Sequence, residues 1–271
     1  MPLISTPWLH ITLWDVLLLL AVSGMGIILA SLHDPRWKAL MLSLPIPFTI
    51  SFLAVGRPVD ATNVAALSLL LAYTFGVYAL HIRLRMPIVP AIVAAAVGYC
   101  VAGGVLAQII PRSAGAFWVT CAATVALAAV LHLRLPVIEE PGYRNPLPLP
   151  AKCAAVSGVV TLLVLIKQII QGFMTVFPMV GVIASYEARH SLWTNCRQIP
   201  IIMLTLTPMM VAIYLAQGPW RWPVGGALAL GWAVLFATLL PMTRDVWATN
   251  PTRASAGGAP ATANRDVNPE S

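Results

Sequence analysis

Residues 88–110 read IVPAIVAAAVGYCVAGGVLAQII, twenty-three positions without one charged side chain. Coiled as a helix, such a run reaches about 34 Å, at about 1.5 Å per residue. The hydrocarbon core of a bilayer is roughly 30 Å thick. The stretch therefore predicts a membrane span, and the rest of the chain repeats the pattern. Eight further apolar stretches occupy 10–31, 39–55, 64–82, 116–133, 153–170, 173–188, 199–216 and 223–241. The expected fold is an all-α polytopic transmembrane bundle of nine helices.

Composition agrees. Apolar residues make up 59% of the chain and charged residues 9%, against about 25% charged in soluble domains. A chain of 271 residues would need a wettable surface in water; in lipid the surface is itself apolar. The net charge of +7 does not point to nucleic acid, because the basic residues sit singly or in pairs between apolar stretches, as membrane-flanking anchors do. Cys100, Cys121, Cys153 and Cys196 form no C-x-x-C pair, and the five histidines have no metal-ligand spacing. No metal and no cofactor is expected. The N-terminus has no basic region before its apolar run, so it reads as a retained first helix and not as a cleaved signal peptide.

Two segments break the pattern. Pro136 to Pro150 reads PVIEEPGYRNPLPLP, and its five prolines exclude a helix through most of it. From Asp245 onward the chain is polar and small, too poor in apolar groups to offset the entropy of ordering, and a disordered tail is expected. With nine crossings, Arg36, Lys38, Arg83, Arg85, Arg134, Arg144, Lys152, Arg189, Arg197 and Arg244, with Arg253 and Arg265 of the tail, fall on one side. Only Arg57, Arg112, Lys167 and Arg221 fall on the other. Basic residues favour the cytoplasm, which places the N-terminus outside and the tail inside a bacterial inner membrane.

The chain also resembles itself. Ala21-Val22-Ser23-Gly24 recurs as Ala155-Val156-Ser157-Gly158, Leu44-Pro45 as Phe177-Pro178, Pro90 as Pro223, and Gly98-Tyr99 as Gly231-Trp232. These matches keep their order at an offset of 133 or 134 residues. They predict two four-helix units, 1–115 and 153–244. A spacer helix (116–135) and a proline-rich loop (136–152) join them, and the tail (245–271) follows. Five crossings separate the starts of the units. An odd number sets them in opposite orientations, the inverted-repeat plan of many secondary transporters.

The second and seventh stretches contain Leu44-Pro45-Ile46-Pro47-Phe48-Thr49 and Phe177-Pro178. Proline removes a backbone donor and interrupts a helix. Matched interruptions in two halves point to a binding site near the bilayer midplane, though a kink that only shapes packing is the other reading. The candidate solute-site residues are Pro45, Pro47, Thr49, Pro178, Ser23, Ser157 and Asp15. Ser23 and Ser157 also suit close helix packing. Asp15 is an acidic group inside the first stretch, and an Asp15–Lys167 pair is open to it.

Phe177-Pro178, Ile183-Ala184, Tyr186, Arg197, Tyr214-Leu215 and Arg221-Trp222-Pro223 resemble the GlpM family of small bacterial inner-membrane proteins over about residues 156–241. Leu44-Pro45 and Arg85-Met86-Pro87 carry a weaker match in the first unit. That family has about four helices and half this length, so the resemblance implies two such units fused in one chain. It implies no activity.

Two functions follow. One is a transporter or channel for a small solute or lipid-linked molecule. The alternative is a non-transporting accessory or assembly protein, favoured by the scarcity of polar groups inside the spans. No catalytic motif argues for an enzyme. The expected partners are the lipid bilayer, a small-molecule solute and, as an open assembly, a second copy of the chain. Ser43, Thr49, Ser51, Asn63, Thr175, Ser185 and Asn195 would face a common cavity in a transporter.

Overall fold

The computed structural model describes residues 2–6, 9–32, 35–136, 138, 140, 154, 158, 171–176 and 178–243. The sixth stretch apart from Ala154 and Gly158, most of the proline-rich loop, Lys167, Ser157 and the tail lie outside the described residues, as does the side chain of Asp15.

Helices build the bundle: α1 (Leu13–Ser31), α2 (Pro35–Ser43), α3 (Ile46–Val55), α4 (Ala61–Tyr78), α5 (Ile88–Ile109), α6 (Ala114–Arg134), α7 (Met179–Glu187), α8 (Leu192–Gln217) and α9 (Val224–Met242). A π-helical turn, Ala79–Arg83, prolongs α4, and a 3-10 turn, Gln171–Val176, precedes α7. Five segments are long and apolar enough to cross a membrane: Ala61–Arg83, Ile88–Ile109, Ala114–Arg134, Leu192–Gln217 and Val224–Met242. The protein is thus a multi-span membrane protein. Ahead of the bundle stands a hairpin that the sequence reading does not anticipate, β1 (Pro2–Thr6) paired antiparallel with β2 (Leu9–Thr12). The first helix consequently begins at Leu13 and not at residue 10. Ile4, Thr6, Ile11 and Thr12 are β-branched, which suits a pleated strand better than a helix.

The outer faces are dressed for lipid. Val89, Val93, Val97, Val101 and Val105 recur every four residues along α5, and each is more than half exposed. The other face of α5 buries Ile92, Tyr99 and Ala107. Helix α8 is the central post. It packs along α9, α6, α4 and α2 and buries Met203, Met209, Met210 and Ile213. Gly231 lets α9 lie tight on α8: a Cβ there would sit 2.7 Å from Ile213 Cγ1.

Polar contacts fix the two ends of the bundle. At one end Asp60, before α4, pairs with Arg112, before α6, at 3.7 Å. Tyr214, late in α8, stacks on Phe117, early in α6, with ring centroids 3.9 Å apart. At the other end Glu140, after α6, accepts hydrogen bonds from the backbone N–H groups of Trp193 and Thr194 at 3.2 and 2.7 Å. The Trp193 ring there touches Phe75 and Tyr78, late in α4. Arg57, Arg112 and Arg221 gather at the first end. Arg83, Arg85, Arg134 and Arg189 gather at the second.

The approaches to α5 and α9 have one backbone geometry. In the first, Leu84 N–H donates to Ala79 O and Met86 N–H to Leu80 O. In the second, Trp220 N–H donates to Leu215 O and Trp222 N–H to Ala216 O. Among the described residues, Arg85 (φ 54°) and Arg221 (φ 50°) are the non-glycine residues with positive φ. Each stands two residues before a proline that caps the next helix, Pro87 at φ −53°, ψ 145° and Pro223 at φ −62°, ψ 149°, so the counterpart of Pro223 is Pro87 and not Pro90, which lies inside α5.

Candidate functional site

The second and seventh stretches are interrupted at their prolines. Pro45 stands at φ −83°, ψ 38° and Pro178 at φ −72°, ψ 52°. Both lie outside the helical well, and each caps a helix that restarts at once. Thr49 N–H donates to Pro45 O at 2.9 Å and Val182 N–H to Pro178 O at 2.7 Å. Pro45 offers no N–H to Met41 O, which instead accepts from Leu44 N–H at 3.3 Å. The Thr49 hydroxyl adds a second bond to Pro45 O at 2.9 Å. Opposite, Gly181 keeps the other restart compact, since a Cβ there would lie 2.9 Å from Pro178 Cβ and 3.7 Å from the Tyr73 ring.

The two restarted helices run in opposite directions. Helix α3 leaves its break towards the Asp60–Arg112 end. Helix α7 leaves its break towards the Glu140–Trp193 end. Between the breaks lies a cavity of about 90 Å³. Pro45, Pro47 and Pro178 line it, with hydrogen-bonding groups from Thr74, Thr175, Ser185 and Asn195. Apolar side chains of α1, α3 and α8 complete the wall. Leu70 and Thr74 place it at mid-depth, because they sit halfway along the 23-residue span Ala61–Arg83. Among the described residues no charged side chain contributes to the lining.

The polar lining divides by state of satisfaction. The Thr74 hydroxyl donates to Leu70 O at 2.9 Å. Ser185, 2% exposed, stands beside the Tyr73 hydroxyl. Asn195 is 5% exposed and lines the cavity, and among the described residues its amide has no hydrogen-bond partner.

Two amide side chains tie the break region together across the halves of the chain. Asn63, in the first turn of α4, donates from Nδ2 to Thr175 Oγ1 at 2.9 Å. Gln198, in the second turn of α8, donates from Nε2 to Ser43 Oγ. Each hydroxyl sits two or three residues before a break proline, and each amide comes from the other half. A second pair repeats the arrangement. Tyr99 of α5 donates from Oη to Phe173 O at 2.8 Å, and Trp232 of α9 donates from Nε1 to Thr49 Oγ1 at 3.0 Å.

Of the residues singled out from sequence, Pro45, Pro47 and Pro178 meet at the cavity. Thr49 lies just beyond, holding Pro45 O and Trp232. Ser23 is half-buried in α1 and does not line the cavity, whereas Met25 of the same helix does. Asp15 lies in the first turn of α1, and Ser157 falls outside the described residues. Thr175, Ser185 and Asn195 line the cavity; Ser43 and Asn63 clasp its neighbours; Ser51 is buried elsewhere on α3. Thr74 and Tyr73 were not anticipated, although a Tyr-Thr pair at the centre of an apolar span is a readable signal. Glu187 is buried at the end of α7, and the Arg189 guanidinium lies 5.3 Å from the Tyr186 ring centroid. Neither Glu187 nor Arg189 lines the cavity. Among the described residues no three His, Cys, Asp or Glu side chains gather as a metal site would need.

No family model, no curated protein and no solved structure matches the chain.

Proposed function

We propose that this protein moves a small solute across the membrane through the cavity between its broken helices. The reading assigns nine spans, with the N-terminus outside and the tail in the bacterial cytoplasm. It arranges the spans as an inverted repeat of two GlpM-like units. The carrying observation is that Pro45 and Pro178 cap oppositely directed helices that open on one mid-depth cavity. A broken helix presents unpaired backbone groups where an intact span presents none. Such sites are tolerated in lipid where they line a cavity, and paired ones recur in transporters. The twin turns before α5 and α9 and the reciprocal hydrogen bonds support the repeat. The cavity is smaller than the roughly 150 Å³ that admits a benzene ring, which favours a solute of few atoms over a lipid-linked molecule.

Topology comes first. In a variant without native cysteines, single cysteines at Arg57 and His190, both exposed, are treated with an impermeant thiol reagent on intact cells. Labelling at position 57, and at 190 only after permeabilisation, is expected; equal labelling removes the inverted repeat. Solute flux in proteoliposomes then tests transport. An accessory protein would give no flux above that of empty vesicles for any small solute offered.

A further inference from the structure

We propose that the cavity binds a small monovalent anion. The inference rests on reading this cavity as the solute site, and it names the class of solute.

Helix α3 has ten residues and α7 has nine, and both begin at the cavity. The first N–H groups of a helix have no acceptor within it. In α7 these are Met179, Val180 and Gly181, because the first N–H to find the ladder is that of Val182, bonded to Pro178 O. In α3 they are Ile46 and Phe48, Pro47 having none. Val180, Gly181 and Phe48 are lining residues. A helix N-terminus carries the field of about half a positive charge, and two of them meet here from opposite directions.

Helix α2 ends at the same break, and its carbonyls offset part of the α3 field. The cancellation is incomplete. Met41 O is already engaged by Leu44 N–H, and among the described residues the element before α7 is a six-residue 3-10 turn. The remaining field is that of about one positive charge at most, which balances a monovalent anion and leaves a dianion half compensated.

The second observation is the Asn195 amide. It is 5% exposed, it lines the cavity, and among the described residues it has no hydrogen-bond partner. Its two N–H groups are donors awaiting an acceptor. Among the described residues no carboxylate lines the cavity, so none of them would compensate a cation, whose transfer to mid-membrane is costly. A volume of about 90 Å³ suits a halide or nitrate with little accompanying water. Tight apolar walls from Phe48, Ile199, Ile202 and Leu206 exclude larger anions.

The test uses the purified full chain in detergent, with sodium gluconate replaced stepwise by sodium chloride, bromide or nitrate at constant ionic strength. The thermal midpoint is expected to rise by several degrees along a saturating curve for at least one of these anions. In Asn195→Asp, which puts a negative charge in the cavity, that rise should vanish. In Asn195→Ala the apparent affinity should fall at least tenfold. Both variants report their own folding through the same transition. Val97→Ala, on the lipid face, should titrate like the parent. Identical midpoints in all salts would overturn the proposal. So would a rise that follows exchange of sodium for choline, or one that Asn195→Asp retains. Anion flux in proteoliposomes separates this inference from the transport reading. Saturable binding without flux keeps the site and removes transport. Flux of a neutral solute unaffected by anions keeps transport and removes the site.

Discussion

Replacing Asn63 by alanine and Thr175 by valine, singly and together, isolates one of the contacts that hold the break region. Asn63 uses both ends of its amide. Its Oδ1 accepts from Asp60 N–H at 2.8 Å, closing the capping box at the start of α4, and its Nδ2 donates to Thr175 Oγ1 at 2.9 Å. The alanine variant loses both bonds and a further contact of Asn63. A helix cap contributes about 0.5–2 kcal/mol, and an interhelical bond within a membrane protein about 0.6 kcal/mol, at most about 1.7. The expected loss for Asn63→Ala is therefore about 1–3 kcal/mol, with Asp60 still capping through Thr62 N–H at 2.8 Å.

Thr175 makes a further contact of its own, so the valine variant removes more than this pair. Only the double variant separates the shared bond from the rest. Measured by reversible unfolding in mixed dodecylmaltoside–SDS micelles, the coupling should be about 0.6–1.7 kcal/mol. A matched cycle, Gln198→Ala with Ser43→Ala, should give the same sign and a similar size. Independent sites add to within about 0.3–0.5 kcal/mol. A coupling inside that band for Asn63–Thr175 would refute the claim that this bond joins the two halves. Coupling in one cycle alone would refute the claim that the two contacts are equivalent.

Other variants test separate steps of the argument. Gly231→Ala should destabilise, because its Cβ would press on Ile213 Cγ1 at 2.7 Å and Met209 Cγ at 3.2 Å; overpacking costs about 1–3 kcal/mol against a helix-propensity gain of about 0.5–1. The sequence-equivalent Gly98→Ala has open space around its Cβ and should be neutral or slightly stabilising in the same unfolding assay. Tyr99→Phe and Trp232→Phe should each lose about 0.6–1.7 kcal/mol, one cross-chain bond apiece. Arg85→Gly and Arg221→Gly should both raise stability by up to about 1 kcal/mol, since relief of left-handed strain worth about 1–2 exceeds the added chain entropy of glycine. In a chain without other cysteines, Ser185→Cys should become more accessible to thiol reagent from the Asp60–Arg112 end when Asn63 is alanine. Access should shift to the opposite end when Gln198 is alanine; the same change in both backgrounds would show that these bonds do not guard separate entrances.

What the sequence discloses here depends on how local the physical cause is. The long spans are legible because charge is absent over twenty residues, a property no tertiary contact can alter. The breaks at Pro45 and Pro178 are legible because the missing N–H is covalent. The hairpin at Pro2–Thr12 was not, since Leu9, Ile11 and Leu13 extend an apolar run whose composition suits strand and helix alike. The inward faces were not legible either. In a soluble helix, the apolar stripe marks the core. Here lipid and core are both apolar, so Val97 on the outside and Val77 inside carry the same signature. Thr74 and Tyr73 escaped for that reason, while Ser23 was chosen for its repeat match and faces elsewhere.

The approaches to α5 and α9 agree most closely where side chains matter least. Arg85-Met86-Pro87 and Arg221-Trp222-Pro223 share two of three residues, and their neighbours Ile82, Arg83 and Leu84 have nothing in common with Gly218, Pro219 and Trp220. Yet the two segments close the same pair of hydrogen bonds and put an arginine in the same left-handed well. The shared cause lies in the backbone. A helix ending near one face must reverse within about four residues, and a proline then fixes the start of the next helix. The residue two before that proline absorbs the turn. Glycine would do so with less strain, so an arginine held at φ 54° and again at φ 50° needs a benefit that outweighs the strain. The two arginines stand at opposite ends of the bundle, each at the rim where a span meets the headgroups. A guanidinium at either surface would be attracted to lipid phosphate, a benefit that a bilayer offers and detergent micelles lack, so the glycine variants should gain stability in micelles and lose that attraction in a bilayer.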